Sequence, residues 1–261
     1  MRCRGYAISH IGNSRDNHED NYLLGKTYLL PEQVEMMSHN RKMIIDQADL
    51  ADTFCVAISD GMGGYEAGEV ASLLTVQYLL SHKISKYDEI NQCILDLNRH
   101  VAAEAKKECG SQNMGATLCG VVSTETKTYC FNVGDSRLYR YSDGLLKQVT
   151  TDNTEGQRLL DLGLLTEEEV RSFPKRKAIY KYIGKDIDLI PDIYEIDAID
   201  KGSFLLLCSD GLSDVLNIEE IQDMLSKKFI STQDKGILLV KMAAERKPDA
   251  GDNITVIILE Y

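Results

Sequence analysis

Residues 54–61 of the chain read FCVAISDG, and residues 204–211 repeat the pattern as FLLLCSDG. Each stretch has the length and composition of a buried β-strand, followed at once by an aspartate. Such an aspartate either forms a turn or has a charged partner at the edge of the core, because burying an unpaired carboxylate is costly. Asp60 and Asp210 are far apart in sequence, so they predict one site built from the ends of different strands. A divalent cation is the natural partner for such a cluster.

A third Ser-Asp-Gly, at residues 142–144, provides an internal comparison. It lies between two segments of alternating polarity, residues 138–141 and 145–149. This arrangement predicts a two-residue hairpin turn in which glycine supplies a positive φ. Asp143 is therefore expected to form a turn and to bind no metal.

The rest of the chain alternates hairpin-connected strands with helices. Strands are predicted at residues 5–10, 21–24, 116–122, 127–133, 193–196, 203–208 and 254–260. Helices are predicted at residues 66–82, 89–108 (ended by Gly110), 217–228 and 234–246, with a short helix opened by a capping box at Thr166. Residues 31–50 are interpreted as a polar insertion with weak helical character. The pattern favours an α+β fold in which two antiparallel sheets pack face to face with helices outside. One domain covering residues 1–261 is expected.

Composition excludes several classes of protein. The net charge of −12 argues against a nucleic-acid-binding protein, which needs a basic surface to displace counterions. No apolar stretch is long enough to span a bilayer, and the N-terminus lacks the apolar core of a secretion signal. The seven cysteines are scattered without a CxxC pair, which favours reduced thiols. A soluble, cytoplasmic, monomeric protein with no membrane partner is expected.

Three further acidic motifs border strands: RDNHED at residues 15–20, NVGDSR at 132–137 and GDNITV at 251–256. Each alone is typical of a turn, because Asp and Asn hydrogen-bond to nearby backbone. Taken in order with DGMGG, GAT and SDGL, however, they resemble the metal-dependent serine/threonine protein phosphatases, the protein phosphatase 2C family, and its bacterial members in particular. The resemblance runs from about Gly5 to Tyr261.

The resemblance implies a sandwich of two antiparallel sheets with a binuclear Mn²⁺ or Mg²⁺ site at one end. It implies that a water bridging the two ions hydrolyses phosphoserine and phosphothreonine in proteins, in opposition to serine/threonine kinases. The resemblance also implies a role for each matching position. Asp60 is expected to bridge both metals with help from the Gly61 carbonyl, Asp210 and Asp252 to complete the first metal site, Glu19 and Asp20 to serve the second, and Asp135 to hold a weaker third ion with Asp210. Arg15 is expected to bind the substrate phosphate, Asn253 to brace the Asp252 loop, and His18 to be a neighbour of the ligands.

Some positions depart from the family pattern. Met62 stands where many relatives have a histidine that could act as general acid. The flap, residues 151–185, carries DNT at 152–154 and PKRK at 174–177, where relatives usually have Asp-His-Ser and Pro-x-Arg-Asn. The insertion at residues 25–52 has no counterpart in the shortest relatives. Two alternative functions stay open: a catalytically silent regulatory module and a phosphatase for small phosphate esters.

Overall fold

Two antiparallel β-sheets face each other in the structure, a computed structural model that describes residues 3–40, 42–63, 67–84, 86–107, 114–185, 189–246 and 251–261. Sheet I has the strand order β3-β1-β12-β11-β8-β9, and sheet II has the order β10-β7-β6-β4-β2 with β5 beside β4. The strands are β1 Cys3–His10, β2 Asp20–Leu24, β3 Ile44–Leu50, β4 Phe54–Met62, β5 Gly115–Ala116, β6 Leu118–Ser123, β7 Thr128–Val133, β8 Arg137–Ser142, β9 Leu145–Gln148, β10 Asp192–Ile196, β11 Phe204–Cys208 and β12 Ile254–Glu260.

The helices of the described segments pack in different places. They are α1 Pro31–Asn40, α2 Ala67–Ser81, α3 Tyr87–Lys107, α4 Glu155–Asp161, α5 Glu167–Ser172, α6 Asp210–Ser213, α7 Ile218–Ser226 and α8 Thr232–Glu245. Helices α2 and α3 pack on sheet II, and α7 and α8 pack on sheet I. None of the helices within these described segments is long and apolar enough to cross a membrane.

Strand β11 shows why the two opening stretches are apolar throughout. Leu205 and Leu207 point into the core between the sheets, whereas Leu206 and Cys208 point to the core beneath α7 and α8. Successive residues of a strand face opposite sides, so a strand covered on both faces needs an unbroken apolar run. The central strands thereby carry their terminal aspartates to the edge of a fully buried layer.

The structure confirms the α+β sandwich and the turn at the third Ser-Asp-Gly, where Asp143 (φ 53°) and Gly144 (φ 81°) join β8 to β9. The capping box at Thr166 is also confirmed. The Thr166 side chain accepts a hydrogen bond from the Glu169 amide, and the Glu169 side chain accepts one from the Thr166 amide. The predicted helix start at Glu66 and the stop at Gly110 lie outside the described residues.

The assignment of residues 31–50 to one weakly helical insertion is wrong for its second half. Only Pro31–Asn40 is helical, and Ile44–Leu50 is strand β3, paired with β1 so that Gly5 lies opposite Ala48. Strand β3 is an edge strand with alternate residues exposed, which permits the polar composition that hides it in the sequence. The Tyr22 hydroxyl, which donates to Asp46, ties this edge to the sandwich.

Candidate active site

Strands β4 and β2 bring the first two carboxylates together. The two strands pair in a register that places Asp20 opposite Asp60. Thr117 fixes the Asp60 backbone from both sides, because its Oγ1 accepts from the Asp60 amide (2.9 Å) and its own amide donates to the Asp60 carbonyl (2.8 Å). The Gly61 amide donates to the Glu19 carbonyl (3.1 Å). The end of β4 is therefore held rigidly beside the start of β2.

The second Ser-Asp-Gly connects sheet I to the same place. Ser209 bonds Thr255 twice, donating its amide to the Thr255 carbonyl and accepting the Thr255 amide at Oγ (both 3.0 Å). Its hydroxyl then donates to Asp20 Oδ2 at 2.8 Å. Asp210 follows at once as the first residue of α6. The serine of the repeat thus joins the two sheets at the point where their aspartates meet.

Asp135 reaches the cluster from the corner between β7 and β8. The backbone before it is clamped by Asn153 at the base of the flap: the Gly134 amide donates to Asn153 Oδ1 (2.9 Å), and the Asn153 amide donates to the Gly134 carbonyl (2.8 Å). Asn153 also donates to Asp192 on β10 (2.7 Å). The flap and the Asp135 corner therefore form one hydrogen-bonded unit.

The carboxylates strongly affect one another. Burial, followed by the charges of Asp252 and Asp210, raises the pKa of Asp20 to about 8. Burial and the neighbouring charge of Asp210 raise the pKa of Asp135 to about 7, and burial and Asp252 raise that of Asp210 to about 7. The pKa of Asp60 lies well above its ordinary value, first through burial and then through Asp20, Asp210, Asp135 and Asp252. Five predicted metal ligands therefore converge on one end of the sandwich.

Arg15 and Asp252 form an ion pair. The Arg15 Nε and Nη2 donate to Asp252 Oδ1 and Oδ2 at 3.0 and 2.8 Å. The arginine predicted to bind phosphate and the aspartate predicted to bind metal are therefore hydrogen-bonded to each other. The two side chains are 50% and 40% exposed, so the pair contributes only about 0–1 kcal/mol. It can open for a ligand at little cost.

The carboxylates of the site have the chemistry that a hard divalent cation requires. Within the described residues, no three His, Cys, Asp or Glu side chains already stand in a metal-binding geometry. The Arg15–Asp252 pair is one visible reason, since it turns both Asp252 oxygens to the guanidinium. Asp20 Oδ1 and Asp210 Oδ1 are buried and lack a hydrogen-bond partner in the same part of the chain. Such oxygens are the ligands that Mg²⁺ and Mn²⁺ prefer, so the residues fit a metal once Asp252 is released.

Asn253 lies at the centre of the loops that carry these ligands. Its Nδ2 donates to the carbonyls of Ile11 and Asn17 (2.9 and 3.0 Å), and its Oδ1 accepts from the Glu19 amide (2.7 Å). Its own amide donates to Asp252 Oδ1 at 2.9 Å. Asn253 therefore connects the Asp252 loop to the loop that carries Glu19.

His18 is fully buried and faces the core. Its Nε2 lies 2.7 Å from the Ser9 hydroxyl, which in turn lies 2.7 Å from the Thr255 hydroxyl. Burial is the main cause that lowers the pKa of His18 to about 3. The ring is neutral at ordinary pH, which fits a structural neighbour of the ligands and does not fit a proton donor.

Several contributors to the site could not be read from the motifs alone. Lys177 of the flap forms an ion pair with Asp214 of 2.5 Å, and its charge acts on the neighbouring Asp210. Gly68, in the first turn of α2, lies under Glu19: a Cβ there would stand 2.6 Å from Glu19 Oε1. The basic residues of the flap and the glycine after the Gly-rich turn can be seen in the sequence. Neither feature indicates which residue of the site Lys177 or Gly68 contacts.

The cluster predicts an unusual pH dependence of stability in chelator. The folded pKa values of Asp20, Asp135 and Asp210 exceed the unfolded value of 3.8, so the folded state binds protons more tightly than the unfolded chain. Stability from these groups is present at low pH and is lost as the pH rises to about 8. The melting temperature in EDTA should therefore fall between pH 5 and pH 8, whereas Mn²⁺ should restore it most at pH 8. A melting temperature in EDTA that rises over this range would contradict the assignment.

Comparison with known proteins places this geometry in a family. The model of the family described as protein phosphatase 2C matches residues 44–243. The serine/threonine protein phosphatase PstP of Mycobacterium tuberculosis is 32% identical over 211 residues, which cover 78% of this chain and 40% of the length of PstP. The match thus spans less than half of that relative.

Solved structures extend the likeness to the whole fold. A serine/threonine phosphatase of S. agalactiae superposes with a TM-score of 0.82 and 26% identity over 99% of each chain. The catalytic domain of PstP, solved in complex with 2 manganese ions, superposes with a TM-score of 0.75 and 26% identity over 100% of this chain and 99% of that one. The family match, the antiparallel sandwich and the converging carboxylates together establish that the chain belongs to the protein phosphatase 2C family and resembles its bacterial members.

Proposed function

We propose that the chain hydrolyses phosphoserine and phosphothreonine in proteins with the help of two Mn²⁺ or Mg²⁺ ions. The observation that carries the proposal is the convergence of Asp20, Asp60, Asp135, Asp210 and Asp252, which come from five separate segments, on one end of the sandwich. Membership of the family supports the reaction class, and the manganese-bound PstP domain supports the choice of metal. A retained set of ligands disfavours a catalytically silent module.

The proposed ligands divide by position. Asp60, with its backbone fixed by Thr117, would bridge both ions, and the Gly61 carbonyl would add a donor. Asp210 and Asp252 would complete one site, whereas Glu19 and Asp20 would serve the other. The bound ions would lower the pKa of water and neutralise charge on the phosphoryl oxygens. The buried setting of the carboxylates holds them in place before the substrate arrives.

Arg15 is proposed to bind the substrate phosphate. Its guanidinium already donates two parallel hydrogen bonds to a carboxylate, the geometry that also suits two phosphate oxygens. A phosphate would therefore replace Asp252 as the acceptor, while Asp252 turns to the metal. This exchange keeps both charges partnered before and after substrate binding.

Arg15→Ala should lower kcat/KM for an aryl phosphate by about 100-fold, and Arg15→Lys by about 10-fold, because a lysine keeps the charge but loses the paired donors. Stopped assays at saturating Mn²⁺ provide the measurement. Mn²⁺ binding in a calorimeter should be retained in both variants, since Arg15 is not a proposed metal ligand and Arg15→Ala removes a competitor for Asp252. Arg4→Lys, in the exposed Arg4–Asp49 pair, is the matched control and should change nothing. Equal loss in both lysine variants would contradict the role of Arg15.

The wider context follows from the same proposal. Phosphoproteins are the expected partners, and the enzyme would oppose serine/threonine kinases as a monomer of one domain over residues 1–261. Six free cysteines within the described segments support a reducing, cytoplasmic compartment. Asp135 and Asp210 would hold a weaker third ion. The proximity of the Lys177–Asp214 pair to Asp210 suggests that the flap affects this third position.

The decisive experiment compares substrates and metals. Purified protein should release phosphate from an aryl phosphate and from phosphothreonine peptides with Mn²⁺ or Mg²⁺, and should lose this activity in EDTA. Full activity in excess chelator would overturn the two-metal mechanism. Turnover of small sugar phosphates but not of phosphopeptides would favour a small-ester phosphatase. The absence of Mn²⁺ binding in a calorimeter would favour the silent module.

A further inference from the structure

A cavity of about 920 Å³ opens beside Arg15, between helix α1, helix α2 and the loop that leads into β2. Its volume lies at the upper end of the range of about 300–1,000 Å³ typical of ligand sites. Glu19 and Asp20 line it at the border with the carboxylate cluster, whereas Asp60, Asp210 and Asp252 do not, so the cavity extends from the cluster toward α1. Any molecule that extends from a phosphate on Arg15 toward α1 would enter it.

The wall of the cavity combines apolar and acidic side chains. Leu29 and Val34 on one side and Val70 and Leu73 of α2 on the other supply apolar surface. The charged residues that line it are, besides Arg15, all acidic: Asp16, Glu19, Asp20, Glu35 and Glu69. The positive charge of Arg15 is paired with Asp252 or, in the proposed complex, with the phosphate. The other charged residues therefore make the rest of the cavity negative. Glu69 contributes to this field, as its charge helps to raise the pKa of Glu19.

One fully buried side chain also borders the cavity. His18 lines the cavity although its residue is 0% exposed, and its Nδ1 has no hydrogen-bond partner within the described part of the chain. The other ring nitrogen is held by Ser9, which fixes the ring. His18 is therefore a fixed and neutral part of the cavity wall.

Helix α1 supplies the residue that can select the ligand. Glu35 is exposed and belongs to the cavity wall, whereas Met37 of the same helix is fully buried and anchors it. Glu35 is not among the groups that act on the pKa of Asp20, Asp60 or Asp210. Glu35 can therefore be substituted without removing a proposed metal ligand.

We propose that this cavity is a groove for the peptide that flanks the phosphorylated residue and that it selects a basic side chain through Glu35. Glu69 adds to the negative field of the groove. The inference deepens the proposed function and rests on it. Continuity with Arg15 places the peptide, since the phosphate must lie there. Charge complementarity selects Arg or Lys, because the wall carries the carboxylates of Asp16, Glu35 and Glu69 in addition to the proposed metal ligands. The apolar wall accommodates the stem of the basic side chain.

The test uses a set of phosphothreonine peptides in an alanine background, each with one Arg at a position from four residues before to four after the phosphothreonine. A matching set carries Glu instead. Wild-type kcat/KM should rise about threefold to fivefold for Arg at one or two adjacent positions and fall for Glu there, and molar salt should remove both effects. Equal rates at all positions would overturn the proposal.

The charge-reversal variant Glu35→Lys should invert the preference at those positions, so that the Glu peptide becomes the better substrate. Glu125→Lys is the matched control, because it changes the net charge by the same amount as Glu35→Lys. Glu125 lies in the exposed turn between β6 and β7, at the end of β6 away from the carboxylate cluster. It should keep the wild-type preference. The same shift in both variants would indicate a general field and would overturn the role of the groove.

Two readouts separate this proposal from the proposed function. Hydrolysis of an aryl phosphate, which carries no flanking peptide, reports the metal site alone. If that hydrolysis is present but the peptides show no positional preference, the groove proposal fails and the phosphatase stands. If hydrolysis is absent, fluorescence polarisation with labelled Arg and Glu peptides still tests the groove: tighter binding of the Arg peptide, reversed in Glu35→Lys, supports it, and equal binding contradicts it.

Discussion

Asp60→Asn should lower Mn²⁺-dependent hydrolysis of an aryl phosphate by at least about 10³-fold, the upper end of what one essential electrostatic group contributes. The substitution keeps the size of the side chain. It also keeps the backbone bonds to Thr117, because those use the Asp60 amide and carbonyl. Only the charge proposed to bridge two cations is lost. A steady-state assay at several Mn²⁺ concentrations measures the effect and shows whether excess metal restores activity.

The same variant should be more stable than the wild type in EDTA. Asp60 is buried among four other carboxylates that raise its pKa, so removing it relieves repulsion of about 1–2 kcal/mol. For a domain of this size that corresponds to a rise in melting temperature of about 2–8 °C. Adding Mn²⁺ should raise the melting temperature of the wild type far more than that of the variant. Opposite signs with and without metal are the signature of a ligand cluster.

The chain contains its own matched control in Asp143→Asn. The tripeptide is identical, but Asp143 forms the β8–β9 turn with φ of 53°, a conformation that asparagine tolerates equally well. Activity and melting temperature should stay at wild-type values. If Asp60→Asn and Asp143→Asn behaved alike, or if Asp60→Asn destabilised the protein in EDTA, the carboxylate cluster would not be a metal site.

Much of the fold could be predicted because the central strands are covered on both faces. An unbroken apolar run such as FLLLC has few alternatives to a buried strand, and the aspartate after it must be accounted for. The three Ser-Asp-Gly copies could be separated for the same reason: the flanking residues alternate only around Asp143. The structure adds the role of the serine, which the sequence pattern does not show. Ser209 joins Thr255 to Asp20 across the two sheets.

Other features depend on contacts between distant segments and leave no local pattern. Strand β3 is polar because it lies at an edge, where the sheet imposes pairing but not burial. The Arg15–Asp252 pair joins positions near opposite ends of the chain, so the motifs predicted both residues but not that each is the other's partner. The flap likewise contains helix α4, which short polar segments do not reveal. The structure of these three features is set by contacts with distant parts of the chain and not by the composition of the local segment.

Gly61→Ala should destabilise the protein by about 3 kcal/mol, the upper end of the typical cost of overpacking, because the neighbouring atoms belong to the backbone. A Cβ at Gly61 would overlap the carbonyl oxygen of Gly68 and would lie 2.8 Å from the Glu19 carbonyl oxygen. Both neighbours are backbone atoms, so the first turn of α2 must move. The family resemblance assigned the carbonyl of this glycine to the metal site. The structure gives a further reason, which is the close approach of α2 to the end of β4.

The melting temperature of Gly61→Ala in EDTA should fall by about 6–12 °C, and Mn²⁺ should bind more weakly since Glu19 shifts with α2. Gly251→Ala is the matched control. It stands directly before Asp252, yet a Cβ there meets nothing closer than Ser14 Oγ at 3.7 Å, which is an ordinary contact. That variant should keep its stability and activity. If both alanine variants were tolerated, the packing of α2 on β4 would not position Glu19; if both failed, proximity to the ligands, and not the backbone contact with Gly68, would be the cause.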